Sequence, residues 1–169
     1  LANNALPLYF SRPLSRSDYV LARLLTLCGL LSLVTWVPGL LLFGMQAGMA
    51  GGSWLRENWH LGAGIVAGFA VWILLVSLVA LASSATVKIR VVAGGLVLGF
   101  FFVLGGATAM ANAVFRSTWA SALSPSWATR RLWYAMFDAT PPAGPGAGAC
   151  AAALLCMMLL LLVILERKL

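Results

Sequence analysis

Few side chains in this sequence could bind a metal or act on a substrate. The single histidine is His60, which alone supplies neither paired axial ligands for haem nor a His-Glu-x-x-His zinc helix. Three cysteines lie inside or beside apolar runs without a Cys-x-x-Cys pair: Cys28, Cys150 and Cys156. Met157 and Met158 follow the last of them, but adjacent residues on a helix point in different directions. We therefore predict neither a metal site nor a cofactor.

Nucleophilic and phosphate chemistry have no motif either. The sequence has no Gly-x-Ser-x-Gly elbow, and Lys88 and Lys168 are not preceded by a phosphate-binding loop. No Asp, Glu or Lys lies in the middle of an apolar run, where an ion-coupled carrier usually needs one. We predict that the chain is not an enzyme and that any ATP that drives it is hydrolysed by another chain.

The composition is that of a membrane protein. Of the 169 residues, 62% are hydrophobic and 9% are charged, against about 25% charged in an average soluble domain. About 20 apolar residues are needed for a helix to cross a hydrocarbon layer of about 30 Å. We predict an all-α membrane protein in contact with the lipid bilayer, a single transmembrane domain over residues 1–169. Its four transmembrane helices are expected at 19–45, 61–82, 91–113 and 147–165.

The basic residues indicate an orientation. The net charge is +7, but the eleven lysines and arginines lie between the apolar runs rather than on one stripe, so we predict no nucleic-acid binding. With the N-terminus inside, the cytoplasmic segments hold seven of them: Arg12, Arg16, Arg23, Lys88, Arg90, Arg167 and Lys168. The other side holds Arg56, Arg116, Arg130 and Arg131. The excess predicts that both ends of this piece face the cytoplasm, on the inner side of the membrane.

The outer segment 114–146 is too long for a simple hairpin. Residues 117–123 and 126–137 mix apolar and polar side chains, which favours short interfacial or re-entrant helices. The cluster 141–146, rich in proline and glycine, is predicted to be a loop.

Two kinds of pattern within the apolar runs concern helix geometry. Gly64-x-x-x-Gly68 and Gly95-x-x-x-Gly99 would allow close helix contact, and Pro38 should kink the first span.

The segment before the first span is unusual for a connection outside the membrane. It carries clustered apolar residues, namely Leu6, Leu8, Tyr9 and Phe10, which normally mark a partner or a membrane surface. Ser15 can cap the following helix, with Asp18 completing a capping box. An ordinary interfacial start to a membrane helix would account for the cap but not for the apolar cluster.

The run from Leu6 to Arg23 resembles the cytoplasmic connection before the third span in bacterial permeases of the type-2 ABC exporter family. The matching positions are Ser11, Arg12, Pro13, Ser15, Arg16, Tyr19 and Arg23. Residues Trp119 to Pro125 are similar to a Trp-Ala-x-x-Leu-Ser-Pro element after the family's fifth span, and the end at Glu166 to Lys168 is similar to the family's C-terminus.

The resemblance implies a permease subunit whose four spans correspond to the third to sixth of six. Residues 1–18 would form a coupling segment on a separate cytoplasmic ABC ATPase subunit. The residues implied in coupling are Leu6, Leu8, Tyr9, Phe10, Arg12, Pro13, Ser15, Arg16, Asp18 and Tyr19. A second permease subunit, identical or different, would complete the translocation path. Candidates for lining it are Ser32, Thr35, Trp36, Phe43 and Asn112.

Two other classes of protein share this composition. One is a non-transporting membrane anchor or assembly subunit, and the other is a membrane enzyme whose catalytic residues lie upstream. The chain begins with Leu1 and has no signal-peptide pattern, so we expect it to be a piece of a longer protein with further spans before it. Co-purification of an ATPase would separate the exporter from both.

Overall fold

The computed structural model describes residues 16–87 and 89–168. Every element among these residues is a helix, and four helical stretches are long and apolar enough to cross a bilayer. The prediction of an all-helical protein with four such helices is therefore confirmed. Of the expected coupling segment, Leu6 to Ser15 lie outside the described residues.

The described chain forms seven α-helices and one 3₁₀ helix. In order, they are α1 (Arg16–Val34), α2 (Trp36–Ala50), α3 (Gly52–Glu57), α4 (Trp59–Thr86), α5 (Arg90–Phe115), the 3₁₀ helix η1 (Trp119–Leu123), α6 (Pro125–Met136) and α7 (Ala147–Lys168). The four candidate spans are Leu21–Ala50, Trp59–Thr86, Val91–Phe115 and Ala147–Arg167. The first of them runs through both α1 and α2.

The helix α4 lies at the centre of the bundle. In its most apolar stretch 44% of the residues are buried, against 22% in α7, 6% in α5 and none in the span formed by α1 and α2. It contacts α1 and α2 on one side and α5, α6 and α7 on the other. Within the described part of the chain, the backbones of α1 and α2 do not come close to those of α5, α6 or α7, and the backbone of α5 does not come close to that of α7. The first span is therefore joined to α5, α6 and α7 through α4.

The buried core joins α4 to α7. Leu75 and Val79 of α4 are at most 2% exposed, as is Leu154 of α7. Residues near the end of α4 share a surface with residues near the end of α7, so these two helices run in the same direction. We call the face where α1 and α5 begin and α4 and α7 end the α1 face. The opposite face carries α3, η1 and α6, and we call η1 together with α6 the cap.

The first span is interrupted at Thr35, whereas the sequence predicted a kink at Pro38. Proline at position 38 has no N–H to donate to the carbonyl of Val34, and its ring crowds the preceding turn. The backbone at Thr35 turns to φ −100° and ψ −79°, and its Oγ1 donates to the carbonyl of Leu31 at 2.7 Å. The break thus falls in the turn before the proline, where the missing hydrogen bond would have been.

Candidate functional site

The described part of the expected coupling segment is the first turn of α1. The helix begins at Arg16, with Asp18 in its first turn, where a carboxylate favours the positive end of the helix dipole. From Arg16 to Val34 the helix has no interruption. The part of the resembling run from Arg16 to Arg23 therefore belongs to a helix of about 28 Å.

Four of the five predicted path residues lie in the first span, on α1, on α2 and at the break between them. Ser32, Thr35, Trp36 and Phe43 are half-buried on one stripe of the first span. The ring of Phe43 shows which way this stripe faces, because it lies against Gly62 of α4. A Cβ placed on Gly62 would be 3.0 Å from the Phe43 ring. The four residues are thus on the side of the span that faces α4, not on its exposed side.

Asn112 lies apart from those four, near the end of α5. Its Nδ2 donates to Oγ of Ser121 at 2.7 Å, and its Oδ1 accepts the N–H of Ala120 at 3.1 Å. Its carbonyl accepts the N–H of Ser117 at 3.1 Å, just after Arg116 takes a left-handed conformation. All polar groups of its side chain therefore hold η1 against α5, and lining a path would require these hydrogen bonds to break. The structure does not bring the five residues together.

The cap contacts α4 through the Gly64-x-x-x-Gly68 motif. A Cβ placed on Gly68 would lie 2.6 Å from Nε1 of Trp133, and one placed on Gly64 would lie 3.1 Å from the ring of Phe137. The ring of Trp133 also meets Phe69 edge-on, with centroids 5.2 Å apart. The motif thus provides the close helix contact expected of it, with the short helix α6 as its partner instead of another span.

The second glycine motif makes no such contact. A Cβ on Gly95 or Gly99 would have no heavy atom of the described structure within 4 Å.

The loop after α6 is tied back onto the cap. Nε of Arg131 donates to the carbonyl of Pro145 at 3.0 Å, and Nη1 donates to that of Pro142 at 3.5 Å. Gly144 has φ +156°, and a Cβ there would be 2.6 Å from the ring of Trp127. Only glycine suits this position, because both the conformation and the closeness of the indole exclude a side chain.

Two features of the cap were not found from the sequence. Nε1 of Trp133 is buried and has no hydrogen-bond partner among the described residues. Arg131 was interpreted as an interfacial charge, whereas its guanidinium binds backbone carbonyls of the proline-rich loop. The sequence did contain one indication of the arginine contact, since a proline-rich loop follows shortly after Arg131 in the chain.

A groove lies between α5 and α7 near the α1 face. It measures about 520 Å³, with α4 as its floor, and its lining is almost entirely apolar. The lining residues used below are Val79 and Thr86 of α4, Leu96, Gly99 and Leu104 of α5, and Ile164 of α7. The groove exists because α5 and α7 both pack on α4 while their backbones stay apart.

In residues 16–87 and 89–168, no three His, Cys, Asp or Glu side chains are close enough to hold a metal ion. Sγ of Cys28 lies 3.6 Å from Oγ of Ser77, Cys150 is buried, and Cys156 is exposed. The arrangement offers a docked cap, an apolar groove and a long helix that begins at Arg16. No protein-family model, curated protein or solved structure matches this chain.

Proposed function

We propose that the chain is the membrane-spanning permease subunit of a bacterial ATP-driven ABC exporter, acting with a separate cytoplasmic ABC ATPase subunit and a second permease subunit. The observation that carries the proposal is the run from Leu6 to Arg23, with its apolar cluster followed by Ser-Arg-Pro and Ser-Arg. Both ends of the chain would face the cytoplasm of the inner membrane, in keeping with the excess of basic residues on the α1 face.

The continuity of α1 supports a mechanical role for that run. Tyr19 and Arg23, the last two positions of the resemblance, are part of the same helix that extends to Val34. A displacement of the coupling segment on an ATPase would move this helix as one piece, since its backbone hydrogen bonds are continuous. The break at Thr35 is the first place where α1 and α2 could change their relative angle.

The weak packing of the first span also supports such movement. The span formed by α1 and α2 has no buried residue in its most apolar stretch, and its backbone comes close only to those of α3 and α4 among the described elements. A helix held by one neighbour can shift at lower cost than one packed on several sides. Ser32, Thr35, Trp36 and Phe43 would reach a path only if this span moved away from α4.

The test combines co-purification with a charge introduced into the coupling segment. The protein is purified from its own host in mild detergent, and the associated proteins are identified and assayed for ATP hydrolysis and transport. Leu8→Glu and Tyr9→Glu should uncouple ATP hydrolysis from transport or release the ATPase. Leu55→Glu is the matched control, because Leu55 is an apolar residue on α3, 42% exposed, at the opposite face.

Two outcomes are decisive. A stoichiometric ATPase that is uncoupled by Leu8→Glu and unaffected by Leu55→Glu would support the permease. A preparation without any nucleotide-hydrolysing partner would refute it and favour a membrane anchor or assembly subunit.

A further inference from the structure

The groove between α5 and α7 extends over only one half of the membrane. Its lining on α4 runs from Val79 to Thr86, and on α5 from Leu96 to Leu104. At 1.5 Å per residue these stretches are about 10 Å and 12 Å long, against a hydrocarbon thickness of about 30 Å. The groove therefore opens toward a single leaflet, the one at the α1 face.

The other half of the space between α5 and α7 is filled by the cap. Both η1 and α6 contact α5 on one side and α7 on the other. A transmembrane helix from another chain would need a groove that crosses the whole bilayer, and the cap blocks its outer half. A ligand as long as one leaflet, such as an acyl chain, fits the space that remains.

An exposed arginine lies at the mouth of the groove. On α7, Arg167 is exposed and follows Ile164 of the lining by three residues, so the two lie on the same face of the helix. Glu166, the preceding residue, is also exposed but points in another direction around the helix. A guanidinium at the end of an apolar groove complements a lipid phosphate.

We propose that the groove binds one acyl chain of an anionic phospholipid from the leaflet at the α1 face, with Arg167 holding the phosphate. The apolar lining supplies burial for the chain, and Arg167 supplies the preference for an anionic headgroup. The depth at which the cap closes the groove sets the length of chain that can be bound.

The probe is a mixture of phosphatidylglycerol and phosphatidylcholine with identical acyl chains. The purified chain is delipidated, incubated with equal amounts of both lipids, and analysed by native mass spectrometry. Wild type should retain one phosphatidylglycerol in preference to phosphatidylcholine. Gly99→Leu should abolish retention, because the position lines the groove and has room for a side chain. Gly94→Leu on the same helix also has room but lies outside the groove, and it should bind as wild type does.

The headgroup is tested separately at an exposed position, where folding is not at risk. Arg167→Gln should lower the preference for phosphatidylglycerol about fivefold, the ratio that corresponds to about 1 kcal/mol per basic residue near a lipid surface. Arg56→Gln, at the opposite face, should leave it unchanged. Equal retention of both lipids by wild type would overturn the proposal, as would lipid retention by Gly99→Leu. A dimer that Gly99→Leu dissociates would also overturn it and assign the groove to a second copy.

Discussion

We expect the substitution Gly68→Ala to loosen the cap from α4. A methyl group at this position would lie 2.6 Å from Nε1 and 2.8 Å from Cδ1 of Trp133, well inside van der Waals contact. The indole is also held by an edge-on contact with Phe69, with centroids 5.2 Å apart, which limits its freedom to move away. Forcing an extra methyl group into a packed contact costs about 1–3 kcal/mol.

The free energy needed to undock the cap from α4 should fall by the whole of this cost. Alanine is a better helix former than glycine by about 1 kcal/mol, but α4 stays helical whether the cap is docked or not, so this gain cancels. Opening should then become about 5- to 150-fold more frequent.

Cys150 provides the assay, since its side chain is fully buried in the same cluster as Ala128 of α6. In a Cys28→Ala, Cys156→Ala background, the rate at which a maleimide labels Cys150 in mild detergent reports opening. Gly106→Ala is the matched control, because a Cβ there would touch nothing in the described structure.

The contact itself is tested by a double-mutant cycle. Trp133→Ala removes the indole that meets the new methyl group, so Gly68→Ala should speed labelling much less in the Trp133→Ala background than in the wild-type background. If Gly68→Ala labels no faster than Gly106→Ala, the cap does not dock on this glycine and the packing described above is refuted.

Two further substitutions use the same thiol reporter. Asn112→Ala leaves two polar groups of η1 without their side-chain partner, which should destabilise the docked cap by about 1–3 kcal/mol. It should therefore speed labelling about 5- to 150-fold. Ser121→Ala loses only one of the two hydrogen bonds, so its labelling rate should lie between those of Asn112→Ala and wild type. An Asn112→Ala protein that labels at the wild-type rate would show that these bonds do not hold the cap. Arg131→Gln should speed labelling about fivefold through the lost bond to the carbonyl of Pro145, whereas the exposed Arg130→Gln should not. Equal effects of the two arginines would point to net charge instead of this bond.

The four long helices could be predicted from the sequence because their signal is additive. Each apolar run contributes many residues to the same conclusion, and no single contact decides it. The position of the break in the first span was harder to predict. The sequence identifies Pro38 as its cause, but the position of the break depends on which carbonyl loses its donor and how the preceding turn relaxes.

Contacts between distant segments could not be predicted. Gly64 and Gly68 indicate a close approach, yet nothing in their spacing says that the partner is Trp133 on a short helix 65 residues beyond Gly68 in the chain. Asn112 was a candidate for lining the path that the resemblance implies. Its hydrogen bonds to η1 depend on the tight turn at Arg116, which only the folded chain shows. The coupling residues from Leu6 to Ser15 stay predictions.

The position of the cap between α5 and α7 has a consequence for biogenesis. Membrane helices are generally inserted in the order of synthesis, and α6, with 12 residues, is too short to cross the bilayer by itself. One wall of its binding site is α7, which is synthesised after it. During translation the cap can therefore dock on α4 and α5 first, but its binding site is complete only when the last helix has been inserted. Truncation within α7 would leave the three earlier spans in place and the cap without one wall of its binding site.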